Sequence, residues 1–154
     1  MKAPEFDLMG VDGKRYSPVT ARGDNGLLVM FICNHCPYVK RALDQILRDC
    51  RELGKHGIGS IAVMSNDPSD YPEDSFDNMQ RIARGKAFPF PYVFDETQDV
   101  ARAYDAVCTP DFFGFGADLH LRYHGRLNEL VQAMTGSAPR QQIASMGCSI
   151  KWKK

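Results

Sequence analysis

The sequence has no excess of charge of either sign. Its 154 residues include 19 lysines and arginines and 19 aspartates and glutamates, so the formal net charge at pH 7 is zero. Proteins that bind nucleic acid or acidic membrane surfaces usually carry basic patches, and here only the short KWKK tail is basic. We therefore expect neither nucleic acid nor a membrane among its partners.

Long hydrophobic runs are also lacking. The longest is LLVMFIC at 27–33, far below the roughly 20 residues that a membrane-spanning helix needs. The N-terminal stretch MKAPEFDLMG has no apolar segment of the kind found in secretory signals. A cytoplasmic location is the expectation, although a chain from which a signal had been removed would look the same.

Cysteine is scarce, and the number of cysteines is odd. The chain contains five: Cys33, Cys36, Cys50, Cys108 and Cys148. In a chain long enough to form its own core, this number does not indicate a structural disulfide framework. A close pair in a reducing compartment indicates catalysis, redox sensing or metal binding instead.

The length and the hydrophobic pattern predict one α/β domain over 1–154. A hydrophobic content of 44% is that of an ordinary globular protein. The Asp-Gly turn within 6–19 predicts an N-terminal β-hairpin. The later pattern predicts strands at 26–33, 57–65 and 91–95, helices starting at 37 (about 16 residues), at 76 and at 97, a hairpin of 112–116 and 119–125, and a helix in two pieces over 127–145. This order predicts a mixed, mostly parallel central sheet flanked by helices, with an antiparallel edge from the late hairpin.

The motif CNHC joins the first buried strand to the first long helix. It places Cys33 at the strand end and Cys36 in the first helical turn, where unpaired N–H groups and the helix dipole favour a thiolate. Pro37 suits the same turn, because a proline there loses no hydrogen bond. Cysteines at this spacing can approach disulfide distance. The motif therefore predicts a redox-active dithiol.

Two further features are expected to tune the dithiol. Asn34 and His35 lie between the sulfurs, and a protonated His35 would stabilise a thiolate and make the disulfide more oxidising. Thr109 and Pro110 precede a predicted edge strand, where a proline cannot donate to the ladder and where cis peptide bonds occur.

Four motifs span nearly the whole chain: FICNHCPYVK, SNDPSDYPEDS, FDETQDVARAYDAVCTPDFFGF and MGCSIKWK. In these motifs the sequence resembles the thioredoxin superfamily. Within it, the sequence is most similar to the peroxiredoxin-like branch of the alkyl hydroperoxide reductase/thiol-specific antioxidant (redoxin) family. The resemblance implies a thioredoxin-like sheet flanked by helices, with Pro110 cis and facing the dithiol.

The sequence departs from the family in two places. Peroxiredoxins prepare their peroxidatic thiol with proline, three residues, threonine, two residues and cysteine; aligned on Cys36, that motif meets Val29 and Cys33 instead of proline and threonine. Thiol–disulfide exchange is therefore the better-supported chemistry. In addition, GRLNELVQAM follows the last hairpin directly, where the family usually has an Asp- and Gly-rich segment. This indicates either a shorter loop or absent residues.

These observations predict a thiol–disulfide oxidoreductase without a cofactor. Cys33, expected to be the more exposed sulfur, would attack a substrate disulfide, and Cys36 would resolve the mixed disulfide. Thr109 would offer backbone hydrogen bonds to an extended substrate beside Pro110. The partners would be a protein or small-molecule disulfide and a thiol electron donor.

Other interpretations remain open at this stage. A peroxidase would oxidise Cys36 to sulfenic acid, with Cys33 resolving it. A zinc or iron site could combine Cys33, Cys36 and His35 with Cys108 or Cys148, in a metal-binding or redox-sensing module. Cys108 and Cys148 are candidates for additional redox thiols. The remaining expectations are structural: Cys50 in the core, His120 and His124 in solvent, and the acidic loop 67–74 as a solvated surface bordering the site.

Overall fold

The computed structural model describes residues 1–136 and 147–154. The described elements are, in chain order, β1 (Leu8–Met9), β2 (Arg15–Tyr16), α1 (Pro18–Ala21), β3 (Gly26–Phe31), α2 (Pro37–Lys55), β4 (Ile58–Met64), α3 (Phe76–Gly85), β5 (Tyr92–Phe94), α4 (Asp99–Ala103), β6 (Cys108–Thr109), β7 (Asp111–Gly116), β8 (Leu121–Gly125), α5 (Leu130–Thr135) and β9 (Cys148–Ser149). Two 3₁₀ turns, Pro72–Asp74 and Leu127–Glu129, precede α3 and α5.

The predicted N-terminal hairpin is present. Strands β1 and β2 pair antiparallel, with Leu8 opposite Tyr16. Gly13 in the connecting turn has a φ of 81°, a left-handed conformation that glycine adopts without a steric penalty. The short helix α1, which the pattern did not predict, follows at once and starts at Ser17, whose side chain accepts a hydrogen bond from the Thr20 N–H.

The central sheet is mixed, as predicted, but it is not mostly parallel. Strand β4 pairs parallel with β5, whereas β7 pairs antiparallel with both β3 and β8. The Ile32 N–H donates to Val63 O at 3.1 Å, which joins the end of β3 to β4. The late hairpin therefore lies beside the central strand β3, and its second strand, β8, is the outer one.

Both faces of β3 are buried, which explains its unbroken apolar sequence. Its alternate side chains enter two hydrophobic clusters. One cluster includes residues of α2, α3 and α5 and both cysteines of the CNHC motif. The other includes residues of α4 and of the N-terminal segment. The helices thus flank the sheet on both sides and hold the end of β3 in a fixed position.

Several predicted element boundaries need correction. Helix α2 has 19 residues rather than about 16. It passes through Gly54 and ends before Gly57, which has a φ of 74°. Helix α4 starts at Asp99 and not at 97, because Gln98 has a left-handed φ of 68°. The first piece of the helix expected over 127–145 is α5, and the rest lies outside the described residues.

His124 was expected in solvent but is partly buried. Its Nε2 lies 2.8 Å from Asp111 Oδ1, and its ring stacks on Phe113 with centroids 4.1 Å apart. Asp111 is itself buried. It is the first residue of β7 and directly follows Pro110. His120 is exposed, as expected. Among the described residues, no helix is both long and apolar enough to span a bilayer.

Candidate active site

The CNHC motif forms the turn between β3 and α2. Cys36 is the N-cap residue of α2, and Pro37 is its first helical residue, as predicted. Both sulfurs are thiols, but neither is exposed: the relative exposure is 2% for Cys33 and 0% for Cys36. Cys33 was expected to be the more exposed sulfur, but its exposure exceeds that of Cys36 only slightly, because the loop carrying Thr109 lies over both side chains.

The predicted loop lies directly against the dithiol. The peptide bond between Thr109 and Pro110 is cis, as the resemblance implied. The Thr109 hydroxyl lies 3.4 Å from Cys33 Sγ, and the Thr109 carbonyl oxygen lies 3.4 Å from Cys36 Sγ. One residue thus contacts both sulfurs, through its side chain and through its backbone.

The backbone of Thr109 pairs with the chain's own C-terminal strand. In the antiparallel pair of β6 and β9, Thr109 lies opposite Cys148, and Cys108 lies opposite Ser149. Thr109 was expected to offer this backbone to an extended substrate. That expectation needs correction, because β9 already occupies the strand edge at Thr109.

The site contains a buried acid that the sequence analysis missed. Asp74 has 0% exposure and ends the 3₁₀ turn before α3. Its Oδ1 accepts from the backbone N–H of Asn34 at 2.7 Å and from that of His35 at 3.1 Å. Its Oδ2 accepts from Asn66 Nδ2 at 3.2 Å and pairs with His35 Nδ1. The acidic loop is therefore not uniformly solvated: its last residue is the hydrogen-bonding anchor of the CNHC turn.

The side chains of Asn34 and His35 both enter this hydrogen-bond network. Asn34 donates to Glu73 O at 2.8 Å and accepts from the Tyr92 hydroxyl at 2.8 Å. The His35 ring stacks on Tyr71, with centroids 4.2 Å apart and planes inclined by 17°. These contacts fix the orientation of the turn between the two cysteines.

The two thiols of the pair differ strongly in acidity. The pKa of Cys36 is lowered to about 4, chiefly by the hydrogen bond from the Cys33 thiol, while burial opposes the shift. The Cys148 thiol, the Val39 N–H and Thr109 lower it further. The pKa of Cys33 is raised by that same hydrogen bond, then by burial and by the charge of Asp74. Cys36, at the helix N-terminus, is therefore the more acidic thiol of the reduced pair, whereas Cys33 was expected to attack first.

The remaining cysteines occupy different environments. Cys50 is in the core, as expected, with its Sγ 3.7 Å from Met30 Sδ, and burial raises its pKa to about 12. Cys148 is partly exposed and packs against the buried cluster that contains Cys33 and Cys36. Cys108 precedes Thr109 in β6, so its side chain points to the opposite face of the strand. The structure thus places Cys148 opposite Thr109 and beside the dithiol, while the side chain of Cys108 points to the other face of β6.

A cleft between α2 and α3 opens beside Cys33. Its volume is about 510 Å³. Its walls are mainly apolar, and Lys40, Arg81, Lys86 and Glu73 line it as well. Lys40 is paired with Glu73 at 2.8 Å. The cleft is large enough for a small molecule, and Cys33 is one of its lining residues.

A potential metal-ligating group also lies here, with a different composition from the one expected. Ligand atoms of Cys33, His35 and Asp74 lie within 4.8 Å of one another. Thiolate, imidazole and carboxylate are all zinc ligands. In the structure, however, both Asp74 oxygens already accept hydrogen bonds, so a metal would have to displace His35 or Asn66 from one of them.

Solved structures of similar chains share this fold. An uncharacterised conserved protein from Geobacillus kaustophilus is 39% identical, with a TM-score of 0.90 over 99% of this chain and 91% of that one. A hypothetical protein from Sinorhizobium meliloti is 28% identical, with a TM-score of 0.87 over 99% and 93%. A pneumococcal exposed lipoprotein thioredoxin is 22% identical, with a TM-score of 0.62 over 77% and 85%, and shows the likeness of fold alone.

The sequence comparison gives the family. The curated proteins contain no match to this chain. The profile of the AhpC/TSA family matches residues 1–124, which include the CNHC motif, Asp74 and the cis Pro110. The chain therefore belongs to the AhpC/TSA, or redoxin, family and has a thioredoxin-like fold.

Proposed function

We propose that this protein is a thiol–disulfide oxidoreductase whose redox couple is Cys33 and Cys36. The observation that carries the proposal is the position of two adjacent thiols at the N-terminus of α2, each with its Sγ 3.4 Å from an oxygen of Thr109 in the cis Thr109–Pro110 loop. The pKa of Cys36 is lowered to about 4, so this sulfur is a thiolate at neutral pH and is ready for exchange. The pKa of Cys33 is raised, so the reduced pair carries one thiolate and one thiol.

The exchange balances as two successive displacements. The Cys36 thiolate attacks one sulfur of a disulfide, forms a mixed disulfide and releases the other sulfur as a thiolate. Cys33 then attacks Cys36 Sγ, its proton passes to the departing thiolate, and the Cys33–Cys36 bond forms. The Thr109 hydroxyl, 3.4 Å from Cys33 Sγ, lowers the pKa of Cys33 and so favours this second step.

The test is a redox titration of the whole chain in glutathione buffers, followed by alkylation and peptide mapping. We expect the free thiols of Cys33 and Cys36 to be lost together, as one two-electron couple. We also expect peptide mapping to find a disulfide that links the two cysteines. The Cys50→Ser variant is the control for a cysteine outside the pair, because its sulfur lies in the core. Oxidised protein in which Cys33 and Cys36 both remain alkylated would refute the proposal.

Peroxide reduction is the second candidate, and the acidic Cys36 favours it. Its thiolate would attack the peroxide, releasing an alcohol or water and leaving a sulfenic acid, which Cys33 would convert into the same disulfide with loss of water. Against this role, Cys33 replaces the threonine of the peroxiredoxin motif. Rapid loss of thiols with hydrogen peroxide, abolished in Cys36→Ser but retained in Cys33→Ser, would favour the peroxidase.

Metal binding is the non-enzymatic alternative, supported by the proximity of Cys33, His35 and Asp74. Elemental analysis of the freshly purified protein distinguishes it from the redox functions. About one zinc or iron per chain, lost in Asp74→Asn, would favour a metal site.

A further inference from the structure

The C-terminal strand brings a third thiol to the redox couple. Cys148 in β9 lies directly opposite Thr109, whose carbonyl oxygen is 3.4 Å from Cys36 Sγ. Cys148 also packs against the buried cluster that contains Cys33 and Cys36. The C-terminal strand therefore places a third thiol beside the loop that contacts both sulfurs of the couple.

The approach of β9 depends on the glycine before Cys148. A Cβ atom at Gly147 would lie 2.7 Å from the carbonyl carbon of Thr109 and closer still to its oxygen. Real Cβ atoms do not approach a backbone this closely, so a larger residue would push the strand away. Gly147 thus permits the contact between the C-terminal strand and the loop over the dithiol.

The residues after Cys148 fix the strand in place. Ile150 is buried, and its N–H donates to Val107 O at 2.9 Å. The Lys151 N–H donates to Asn66 Oδ1 at 3.0 Å, and the same Asn66 side chain donates to Asp74. Gln98 binds the backbone on both sides of Trp152, at Lys151 O and at Lys153 N. The strand that carries Cys148 is therefore anchored to the hydrogen-bond network around the site.

Access to solvent separates the three sulfurs. Cys33 and Cys36 are buried, whereas Cys148 is partly exposed. Cys148 is therefore the most exposed of the three cysteines. The strand edge beside Thr109 and Pro110, where an extended substrate was expected, holds β9 and so presents Cys148 to Cys36.

We propose that Cys148 is a third redox thiol, which exchanges with Cys36 and carries the disulfide between the buried couple and the protein surface. The proposal rests on the redox function of Cys33 and Cys36 proposed above. In the exchange, Cys148 attacks Cys36 Sγ, the Cys33–Cys36 bond breaks, the Cys36–Cys148 bond forms, and the proton of Cys148 passes to Cys33. One disulfide replaces another, so no external oxidant or reductant is needed.

The electrostatics around Cys148 suit this order of events. Its pKa is raised to about 11, first by burial and then by the hydrogen bond to Cys36 and the charge of that thiolate. Once Cys36 is part of a disulfide, its charge is gone, while the lowering effects of Lys151 and of the Tyr38 backbone remain. Cys148 thus becomes easier to deprotonate when there is a disulfide for it to attack.

Cys108 provides the matched control. It is a partly buried thiol in the paired strand β6, and burial raises its pKa to about 11 as well. Its side chain lies on the face opposite to Thr109, so strand geometry directs it away from Cys36. A generic effect of losing a cysteine in this two-stranded sheet would appear in Cys108→Ser and in Cys148→Ser alike.

Two measurements on the full chain test the proposal. First, Cys33→Ser is oxidised with diamide, alkylated and mapped; we expect a Cys36–Cys148 disulfide, which also forms when Cys108→Ser is added. Second, the oxidised wild type, Cys148→Ser and Gly147→Ala are reduced with glutathione in a stopped-flow instrument. We expect reduction to slow by about tenfold or more in both variants, because the preoriented thiol is lost or displaced. Cys108→Ser is expected to react at the wild-type rate.

The proposal requires both results and fails if one of them is not obtained. Absence of the Cys36–Cys148 disulfide, or wild-type reduction kinetics in Cys148→Ser, would overturn it. The redox function of the couple is judged separately, by the Cys33–Cys36 disulfide in the wild type and in Cys148→Ser. If that disulfide forms in both proteins while Cys148→Ser is reduced at the wild-type rate, Cys148 is not a redox thiol. In that case the proposed oxidoreductase function of Cys33 and Cys36 is retained.

Discussion

Asp74 binds His35 at two points, through the backbone N–H at 3.1 Å and through the ring Nδ1. The same carboxylate accepts from the backbone N–H of Asn34 at 2.7 Å. The loop before α3 therefore fixes the two residues between the sulfurs. Because Asp74 is completely buried, its charge also acts on the dithiol at short range, and it contributes to the raised pKa of Cys33.

The first prediction concerns this anchor. Asp74→Asn replaces a charged acceptor by an amide, so the donors that converge on it are poorly satisfied. We expect the free energy of unfolding to fall by about 1–3 kcal/mol, measured by urea denaturation. Asp70→Asn, an exposed acid of the same loop, is the control and should change it little. Equal losses in both variants would contradict the role of Asp74 as a buried anchor.

The second prediction concerns the location of the thiolate. In the reduced protein, ultraviolet absorbance should report a thiolate that titrates near pH 4, at Cys36. Cys36→Ser should abolish this titration. Cys33→Ser should shift it to higher pH, because the hydrogen bond from Cys33 is the largest cause of the low pKa of Cys36. A thiolate titration near pH 4 that persists in Cys36→Ser would instead place the thiolate at Cys33.

The sequence predicted those parts of the site that depend on neighbouring residues. A buried strand, a change to helical periodicity and Pro37 define the CNHC turn locally, and the structure has Pro37 at the first helical position. The Thr109-Pro110 loop was likewise identified from a local signal, and its position over the dithiol was implied by the resemblance.

The missed features depend on contacts between distant parts of the chain. Asp74 is one of several acids in a polar loop, and nothing in the local pattern distinguishes it from its solvated neighbours. The pairing of β6 with β9 joins two strands of two residues each, too short for a periodic signal. The low pKa of Cys36 is caused first by Cys33 in the same turn, but Cys148 and Thr109 lower it further, and these two come from distant parts of the chain.

The third prediction is a pH dependence of stability. The Cys36 pKa is lowered from 9.0 to about 4 on folding, so between these pH values the unfolded chain holds more protons and stability rises with pH. This contribution is complete above pH 9 and is lost as the pH falls toward 4. Cys33, with its raised pKa, contributes in the opposite direction, and only above its ordinary pKa of 9.0.

Urea denaturation of the reduced protein at several pH values measures this contribution. Carboxylates and histidines titrate in the same range, so the informative quantity is the difference between the wild type and Cys36→Ser. We expect the advantage of the wild type to shrink steadily as the pH is lowered from 9 toward 4. A difference that does not change with pH would contradict a thiolate at Cys36 in the folded protein.

The last prediction separates the hydroxyl of Thr109 from its packing. Thr109→Val keeps the β-branched shape but removes the oxygen that lies 3.4 Å from Cys33 Sγ. Because this hydroxyl lowers the pKa of Cys33, its loss should make Cys33 a weaker nucleophile toward Cys36. We expect closure of the Cys33–Cys36 disulfide to slow by about fivefold, the equivalent of one ordinary hydrogen bond of about 1 kcal/mol. Stopped-flow mixing with a small disulfide, with intrinsic fluorescence or quenched mapping as the readout, measures that step. Thr109→Ser keeps the hydroxyl and should react at nearly the wild-type rate, so a serine variant as slow as the valine variant would assign the effect to packing.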